Sequence, residues 1–189
     1  MKHFQPLLVW VILLSLLTGC GQKCEDFNND IVNWMPYKAS EKIPVYNGYT
    51  HDTLTVLYSE IHYTRRLGYG VKCTCENSYY LKLTSDSLEL EIDFNESRDI
   101  TRSEIYVNGE GLFYAKQLDK MEIMGNQYND LIEFAKSSQN DRGTFDSIIV
   151  AKSVGIILIK GPGIEWSTID NAKKIINVSD LKFISKNCG

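Results

Sequence analysis

The chain has 189 residues, with 24 acidic and 20 basic side chains and a net charge of −4. This length suits one domain built around one core. The mildly acidic balance and the lack of a basic run argue against a nucleic-acid partner, which would need clustered Lys and Arg. No apolar run reaches the roughly 20 residues that a transmembrane helix needs.

The first 19 residues have the layout of an export signal. Lys2 and His3 precede the apolar segment Leu7 to Leu17, which carries no charge. These eleven residues, with a single hydroxyl, match the core of a signal peptide and are too few to span a bilayer. We therefore predict that residues 1–19 are removed, which leaves a mature chain of 170 residues with a net charge near −5.

The end of this segment, Leu17-Thr18-Gly19-Cys20, resembles the lipobox of bacterial lipoproteins. The resemblance implies a diacylglyceryl thioether on Cys20, cleavage before it, and acylation of the new amino terminus by a fatty acid such as palmitate. The alternative is an ordinary secretory signal that ends on a chance cysteine. Residue 21 is Gly and not the Asp that often retains lipoproteins in the inner membrane, so the resemblance favours lipid anchoring at the cell outer membrane, facing the periplasm or the cell surface.

Four further cysteines remain, and the export signal predicts an oxidising compartment. They are Cys24, Cys73, Cys75 and Cys188. On one strand, Cys73 and Cys75 would lie about 6.5 to 7 Å apart, at or beyond the usual Cα separation of a disulfide. Each is therefore expected to pair with Cys24 or Cys188. A metal or redox site is the alternative. Zinc sites usually use Cys-x₂₋₄-Cys pairs, and this chain has no Cys-x-x-Cys, so no metal is predicted.

The rest of the chain divides into a polar segment interrupted by turn-forming Asn, Pro and Gly residues and a β-rich domain. Residues 20–48 are predicted to form a tether that becomes partly ordered where Trp34 and Tyr37 reach the core. Residues 49–189 carry strand patterns at intervals of about 8 to 12 residues. We predict an all-β fold of about nine or ten antiparallel strands with little helix, arranged as a meander that forms a curved sheet, a barrel or a two-sheet sandwich.

Two hairpins and one irregularity can be placed in detail. A turn near Ser85 would set Leu83 opposite Leu88. Asn108-Gly109 is typical of a type I′ turn, which would set Ile105 opposite Leu112. In the strand that begins at Asp52, the apolar residues change phase after Val56, which indicates a bulge or burial on both faces.

The stretch Phe145 to Lys160, FDSIIVAKSVGIILIK, is similar to the closing strand-turn-strand of many small uncharacterised bacterial lipoproteins. The similarity covers about 16 residues. It implies a shared antiparallel β fold and implies no activity.

The sequence carries no recognisable catalytic motif, and we predict no catalytic residue and no cofactor. Glu60 and His62 share one face of a strand and are the basis of the one enzymatic alternative, a hydrolase or metal-dependent enzyme. The row Glu89, Glu91 and Asp93 is interpreted as a solvated strand face that Lys82 partly neutralises.

A pattern of Asp, then Ser or Thr, then an apolar residue occurs three times, with the hydroxyls on Thr53, Ser87 and Ser147. It resembles a sequon for O-glycosylation of exported proteins in one group of bacteria, which makes these hydroxyls candidate glycosylation sites. The same pattern is also ordinary turn chemistry before a strand, and both interpretations stay open.

Together these features favour a membrane-anchored lipoprotein of the cell envelope with a non-enzymatic binding or structural role. Its expected partners are the membrane, through the lipid anchor, and an envelope protein or a glycan. The main alternative is a carrier of a lipid or other small apolar ligand inside a β-barrel, which would need an open apolar interior.

Overall fold

A computed structural model of the protein describes residues 27–67, 73–95, 100–137, 144–169 and 172–186. Eleven strands and one short α-helix occur in these ranges. The helix α1 covers Asn29–Val32, and two 3₁₀ turns cover Ile100–Arg102 and Val178–Asp180. The strands are β1 Lys42–Tyr46, β2 His51–Leu67, β3 Cys73–Thr84, β4 Glu89–Asn95, β5 Glu104–Val107, β6 Glu110–Ile123, β7 Asn126–Ala135, β8 Ser147–Ala151, β9 Gly155–Gly161, β10 Ile164–Thr168 and β11 Lys182–Lys186.

All eleven strands belong to one sheet, and ten of them close into a ring. Each strand from β1 to β9 pairs antiparallel with the next, and β1 also pairs antiparallel with β10. The all-β prediction is confirmed, and the closed ring corresponds to the barrel among the predicted alternatives. β11 is the exception, because it pairs in parallel with β2. On the edge of β2 that faces away from β3, β1 covers residues 51–55 and β11 covers residues 60–64.

The predicted details were correct in two places and wrong in one. Ile105 pairs with Leu112, and both Asn108 and Gly109 have positive φ angles, as a type I′ turn requires. The register of β2 shifts between Val56 and Tyr58, which is the predicted bulge.

The β3–β4 register differs from the prediction by two residues, since Leu83 pairs with Leu90 and not with Leu88. The Ser85 hydroxyl oxygen accepts hydrogen bonds from the backbone N–H groups of Ser87 and Leu88, and this widens the turn. A shift of two residues keeps every side chain on its predicted face.

The interior of the ring is filled by alternate side chains of the strands. Tyr79, Leu81, Leu90, Phe94 and Phe134 are among the fully buried side chains of this main cluster. Phe94 and Phe134 stack with their ring centroids 6.3 Å apart. Period-2 alternation of apolar and polar residues therefore produces one dry interior and one outward face.

The N-terminal part of the described chain belongs to this core. Phe27, Val32, Met35 and Tyr37 are buried in the main cluster, and Trp34 packs against it. The predicted ordering of Trp34 and Tyr37 is confirmed. The segment 20–48, predicted as a partly ordered tether, also contributes β1 to the sheet.

A buried tyrosine fixes this segment to the sheet. The Tyr79 hydroxyl donates a hydrogen bond to the Met35 carbonyl at 2.8 Å and lies 3.1 Å from the Ser59 hydroxyl, which donates to the Tyr37 carbonyl at 2.6 Å. Burial raises the pKa of Tyr79, and the Ser59 contact opposes this rise only in part. The hydroxyl therefore remains a neutral donor in the core.

A second apolar cluster lies on the opposite face of β8 and β9. Ile148 and Val150 point into the main cluster, whereas Ile149 and Ala151 join Ile157 and other residues in the second one. The distal half of the β6–β7 hairpin contributes Ile123 and Tyr128 to the second cluster. Both faces of β8 and β9 are consequently buried, which explains their continuous apolar sequences.

Candidate partner-binding face

The outward side chains of β2 to β6 form two rows that cross the strands. We call this surface the tyrosine face. In the first row, cross-strand pairing places Tyr58, Lys82, Glu91, Tyr106 and Gly111 side by side; in the second, it places Glu60, Tyr80, Asp93, Glu104 and Phe113 side by side. Neighbouring members of a row are about 4.8 Å apart. The bulge in β2 is what brings Tyr58 into register with Lys82.

Several aromatic rings of this face are exposed to solvent. Tyr58, Tyr106 and Phe113 are 49%, 38% and 40% exposed. A Cβ at Gly111 would lie 3.4 Å from Tyr106 Cε1 and 3.6 Å from Phe113 Cζ. Both rings therefore lie next to Gly111, which has no side chain to separate them.

Carboxylates surround these rings. Lys82 Nζ lies 2.7 Å from Glu91 Oε1 and 3.3 Å from Glu89 Oε1, and its hydrogen bond to Glu91 raises the pKa of Lys82. The Tyr106 hydroxyl donates to Glu104 Oε2 at 2.5 Å, which raises the pKa of Tyr106. Both shifts stabilise the protonated form of the donor. Among the described residues, the two rows hold four carboxylates, Glu60, Glu91, Asp93 and Glu104, and one ammonium group, Lys82. Lys182 of β11 adds a second ammonium group beside Glu60.

Glu60 and His62 meet at the β11 side of the tyrosine face, as the strand period predicted. His62 Nε2 lies 3.2 Å from Glu60 Oε2, and Lys182 of β11 donates to Glu60 Oε1 at 2.9 Å. Partial burial raises the pKa of Glu60, but the hydrogen bonds from Lys182 and His62 outweigh burial and lower the pKa overall. Among the described residues, no three His, Cys, Asp or Glu side chains are grouped so that they could hold a metal ion.

The predicted cysteine sites are mostly outside the described residues. Cys20, Cys24 and Cys188 lie outside them. Cys73 and Cys75 belong to β3, where their backbones pair with Leu67 and Arg65 of β2, and their side chains are not described. The lipid anchor and the disulfide pairings therefore stay predictions.

The three candidate glycosylation sites have different surroundings. Thr53 and Ser87 are exposed, and their Asp neighbours, Asp52 and Asp86, line the same surface depression of about 580 Å³. Ser147 is the first residue of β8, a strand whose residues are all buried, and it is only 5% exposed. The Asp52 carboxylate accepts a hydrogen bond from the Thr53 N–H at 2.6 Å, within β2.

The sequence did not single out Tyr58, Tyr106 or Phe113. Tyr and Phe are favoured in strands generally, so their abundance does not separate core rings from surface rings. The available signal was local: Tyr106 and Phe113 occupy the polar phase of strands whose other phase, Ile105 and Leu112, is apolar.

Within the described ranges, no helix is long and apolar enough to cross a membrane. Comparison of the chain with protein-family models, with curated proteins and with solved structures found no match in any of the three.

Proposed function

We propose that this protein is a lipid-anchored lipoprotein of the bacterial cell envelope that binds a basic envelope protein through its tyrosine face and has no enzymatic activity of its own. The observation that carries the proposal is the set of exposed rings of Tyr58, Tyr106 and Phe113 among carboxylates on one regular sheet face. Tyrosine is enriched among the residues that dominate binding energy in protein interfaces.

The charge of the face supports the choice of partner. An excess of carboxylates favours Lys and Arg side chains on the partner, both by steering its approach and by excluding acidic surfaces. The rings add cation–π attraction for the same groups, worth about 0.5 to 2 kcal/mol each. Surface rings without charges would bind with less selectivity.

The anchor is proposed from the lipobox, which ends at Cys20. From Cys20 to Phe27, where the description of the fold begins, a fully extended chain spans at most about 25 Å. A domain tethered in this way stays close to the lipid surface of the outer membrane. The partner is accordingly expected in the same membrane or next to it.

The geometry gives less support to the two alternatives, a carrier of apolar ligands and an enzyme. A carrier of apolar ligands needs space among the interior side chains, where Tyr79, Phe94 and Phe134 pack in the main cluster. An enzyme that uses Glu60 as a base must first release its carboxylate from Lys182 and His62.

Membrane fractionation tests the anchor. Cys20→Ala removes the thiol that would carry the lipid, and we expect this variant to leave the membrane fraction. Cys24→Ala is the matched control, because it removes a nearby thiol and should leave the protein in the membrane fraction. If Cys20→Ala remains membrane-bound to the same extent as the control, the anchor is refuted.

Site-specific photo-crosslinking in intact cells tests the face. A benzophenone amino acid at position 106 should give a discrete adduct with a basic envelope protein. The control position is Tyr49, which is 93% exposed and lies in the turn between β1 and β2, away from the tyrosine face. Equal adducts at the two positions, or none at position 106, would contradict the proposed role of the face.

A further inference from the structure

A separate pocket lies where the β6–β7 hairpin meets the turn between β8 and β9. Its walls are residues 126–130 of β7 and residues 151–154, which run from the end of β8 into this turn, with Lys173 at one side. Its volume is about 300 Å³, at the lower end of the range for small-molecule sites. We call it the crease pocket. It is distinct from the tyrosine face, which is built from β2 to β6.

The floor of the crease pocket is apolar. Tyr128, Ala151 and Val154 are buried members of the second cluster and also line the pocket. A ligand in the pocket would therefore place one surface against a ring and aliphatic groups. Such a floor suits the C–H face of a ring-shaped ligand.

The rim is polar, and most of its side chains are uncommitted. Asn126 makes only a 3.5 Å contact with the Met124 carbonyl. Within the described part of the chain, Gln127, Asn129 and Lys173 have no side-chain hydrogen bond or ion pair. The two amides each offer donors and an acceptor, and the Ser153 hydroxyl can do both. This combination matches hydroxyl groups, which also donate and accept.

The charges at the rim balance. Among the residues that line the pocket, Asp130 carries a negative charge and Lys152 and Lys173 carry positive charges. Asp30 does not line the pocket, but it lies 3.5 Å from the Lys152 ammonium and offsets that charge. The balance gives no net preference for an anion or a cation. A neutral ligand is therefore favoured over a phosphate or a carboxylate.

The pocket is held in place by backbone hydrogen bonds. The Lys152 N–H donates to the Asp130 carbonyl at 3.0 Å across the crease. The Ser153 N–H donates to the Asn33 carbonyl, and the Ser153 carbonyl accepts from the Lys174 N–H, both at 2.6 Å. The walls are thus preformed, which reduces the entropy lost when a ligand binds.

We infer that the crease pocket is a binding site for a neutral saccharide unit, with the Gln127 and Asn129 amides and the Ser153 hydroxyl bonding its hydroxyl groups over the Tyr128 floor. This inference does not rest on the proposed partner of the tyrosine face. It names a second ligand, of different chemistry, at a different place on the domain.

A glycan array is the direct test. Full-length protein, solubilised from membranes in detergent, is applied to an array of neutral and acidic glycans. We expect retention on at least one neutral glycan. The double variant Gln127→Ala/Asn129→Ala should weaken this binding about 25-fold, because it removes two hydrogen-bonding groups at about fivefold each. Gln117→Ala, an exposed glutamine of β6 outside the pocket, is the matched control and should bind like the wild type.

Nuclear magnetic resonance on the wild-type protein locates the ligand without relying on a variant. Addition of the retained saccharide should shift the backbone amides of residues 126–130 and 151–153. The inference is overturned by any of three results: no neutral glycan is retained, only acidic glycans are retained, or the shifts and the loss of binding follow Tyr106→Ala instead of the double variant.

Discussion

Gly155 is a position where a single added methyl group should strongly destabilise this fold. Its φ angle is +96°, and a Cβ built there would lie 2.2 Å from the Tyr37 hydroxyl oxygen and 2.4 Å from Tyr37 Cζ. The Tyr37 ring cannot easily move, because it is 1% exposed and its hydroxyl accepts a hydrogen bond from the Ile156 N–H at 2.7 Å. Gly155→Ala must therefore displace a buried ring.

The magnitude follows from three contributions. An alanine in the left-handed region costs about 1 to 2 kcal/mol. Overpacking a filled core costs about 1 to 3 kcal/mol more, and a lost hydrogen bond adds about 1 kcal/mol. We expect Gly155→Ala to lower the free energy of unfolding by about 4 kcal/mol. For a domain of this size, each kcal/mol corresponds to a fall in Tm of about 2 to 4 °C.

Gly48 provides the matched control. Its φ angle is +91°, nearly that of Gly155, but no atom lies within 4 Å of a Cβ built there. Gly48→Ala should therefore show only the backbone cost of about 1 to 2 kcal/mol. Urea unfolding at 25 °C, followed by tryptophan fluorescence, measures both variants. Equal destabilisation by the two substitutions would refute the close packing of Tyr37 against Gly155.

Three further predictions concern other parts of the domain. Tyr79→Phe removes the hydroxyl that donates to the Met35 carbonyl and should destabilise the fold by about 2 kcal/mol in the same assay. The folded-state pKa of Glu60 lies below its ordinary value of 4.5. The ionised Glu60 side chain therefore stabilises the fold above about pH 4.5, and this stabilisation is lost as the pH falls. Glu60→Gln should weaken the acid dependence of the unfolding free energy. Mass spectrometry of peptides from exported protein should detect any glycan only on Thr53 or Ser87.

The outcomes that would contradict these three predictions are distinct. Tyr79→Phe should lower the free energy of unfolding clearly more than Tyr49→Phe, because Tyr49 is exposed. Equal stability of the two variants would contradict the buried hydrogen bond. An unchanged acid dependence in Glu60→Gln would contradict the role assigned to its partners. A glycan on Ser147 would contradict the burial of that side chain in the folded protein.

Local patterns in the sequence predicted the parts of the fold that depend on near neighbours. The alternation in β4 and the turn residues Asn108-Gly109 specify faces and one register, because both act over a few residues. The predicted β3–β4 register was wrong because the Ser85 hydroxyl stabilises a wider turn than the hydrophobic pattern alone indicates.

Such local patterns could not predict the closure of the ring or the course of the N-terminal segment. β1 pairs with β10 through Val45 and Tyr46, across more than 100 residues of chain, and β11 joins β2 in parallel. Pairings at this separation leave no periodic signal in a single sequence. The exposed rings of the tyrosine face were missed for a related reason, since exposure depends on which neighbours the ring of strands brings together.

Charge reversal on the tyrosine face tests most directly the claim that this face binds a basic partner. The quantity measured is the yield of the photo-crosslinked adduct from position 106 in intact cells. Glu91→Lys/Asp93→Lys should reduce the yield by at least about tenfold, because a basic partner then meets like charge. Asp119→Lys/Glu122→Lys makes the same change at exposed sites near the end of β6 and should leave the yield unchanged. An adduct that persists undiminished after reversal on the tyrosine face would contradict this account.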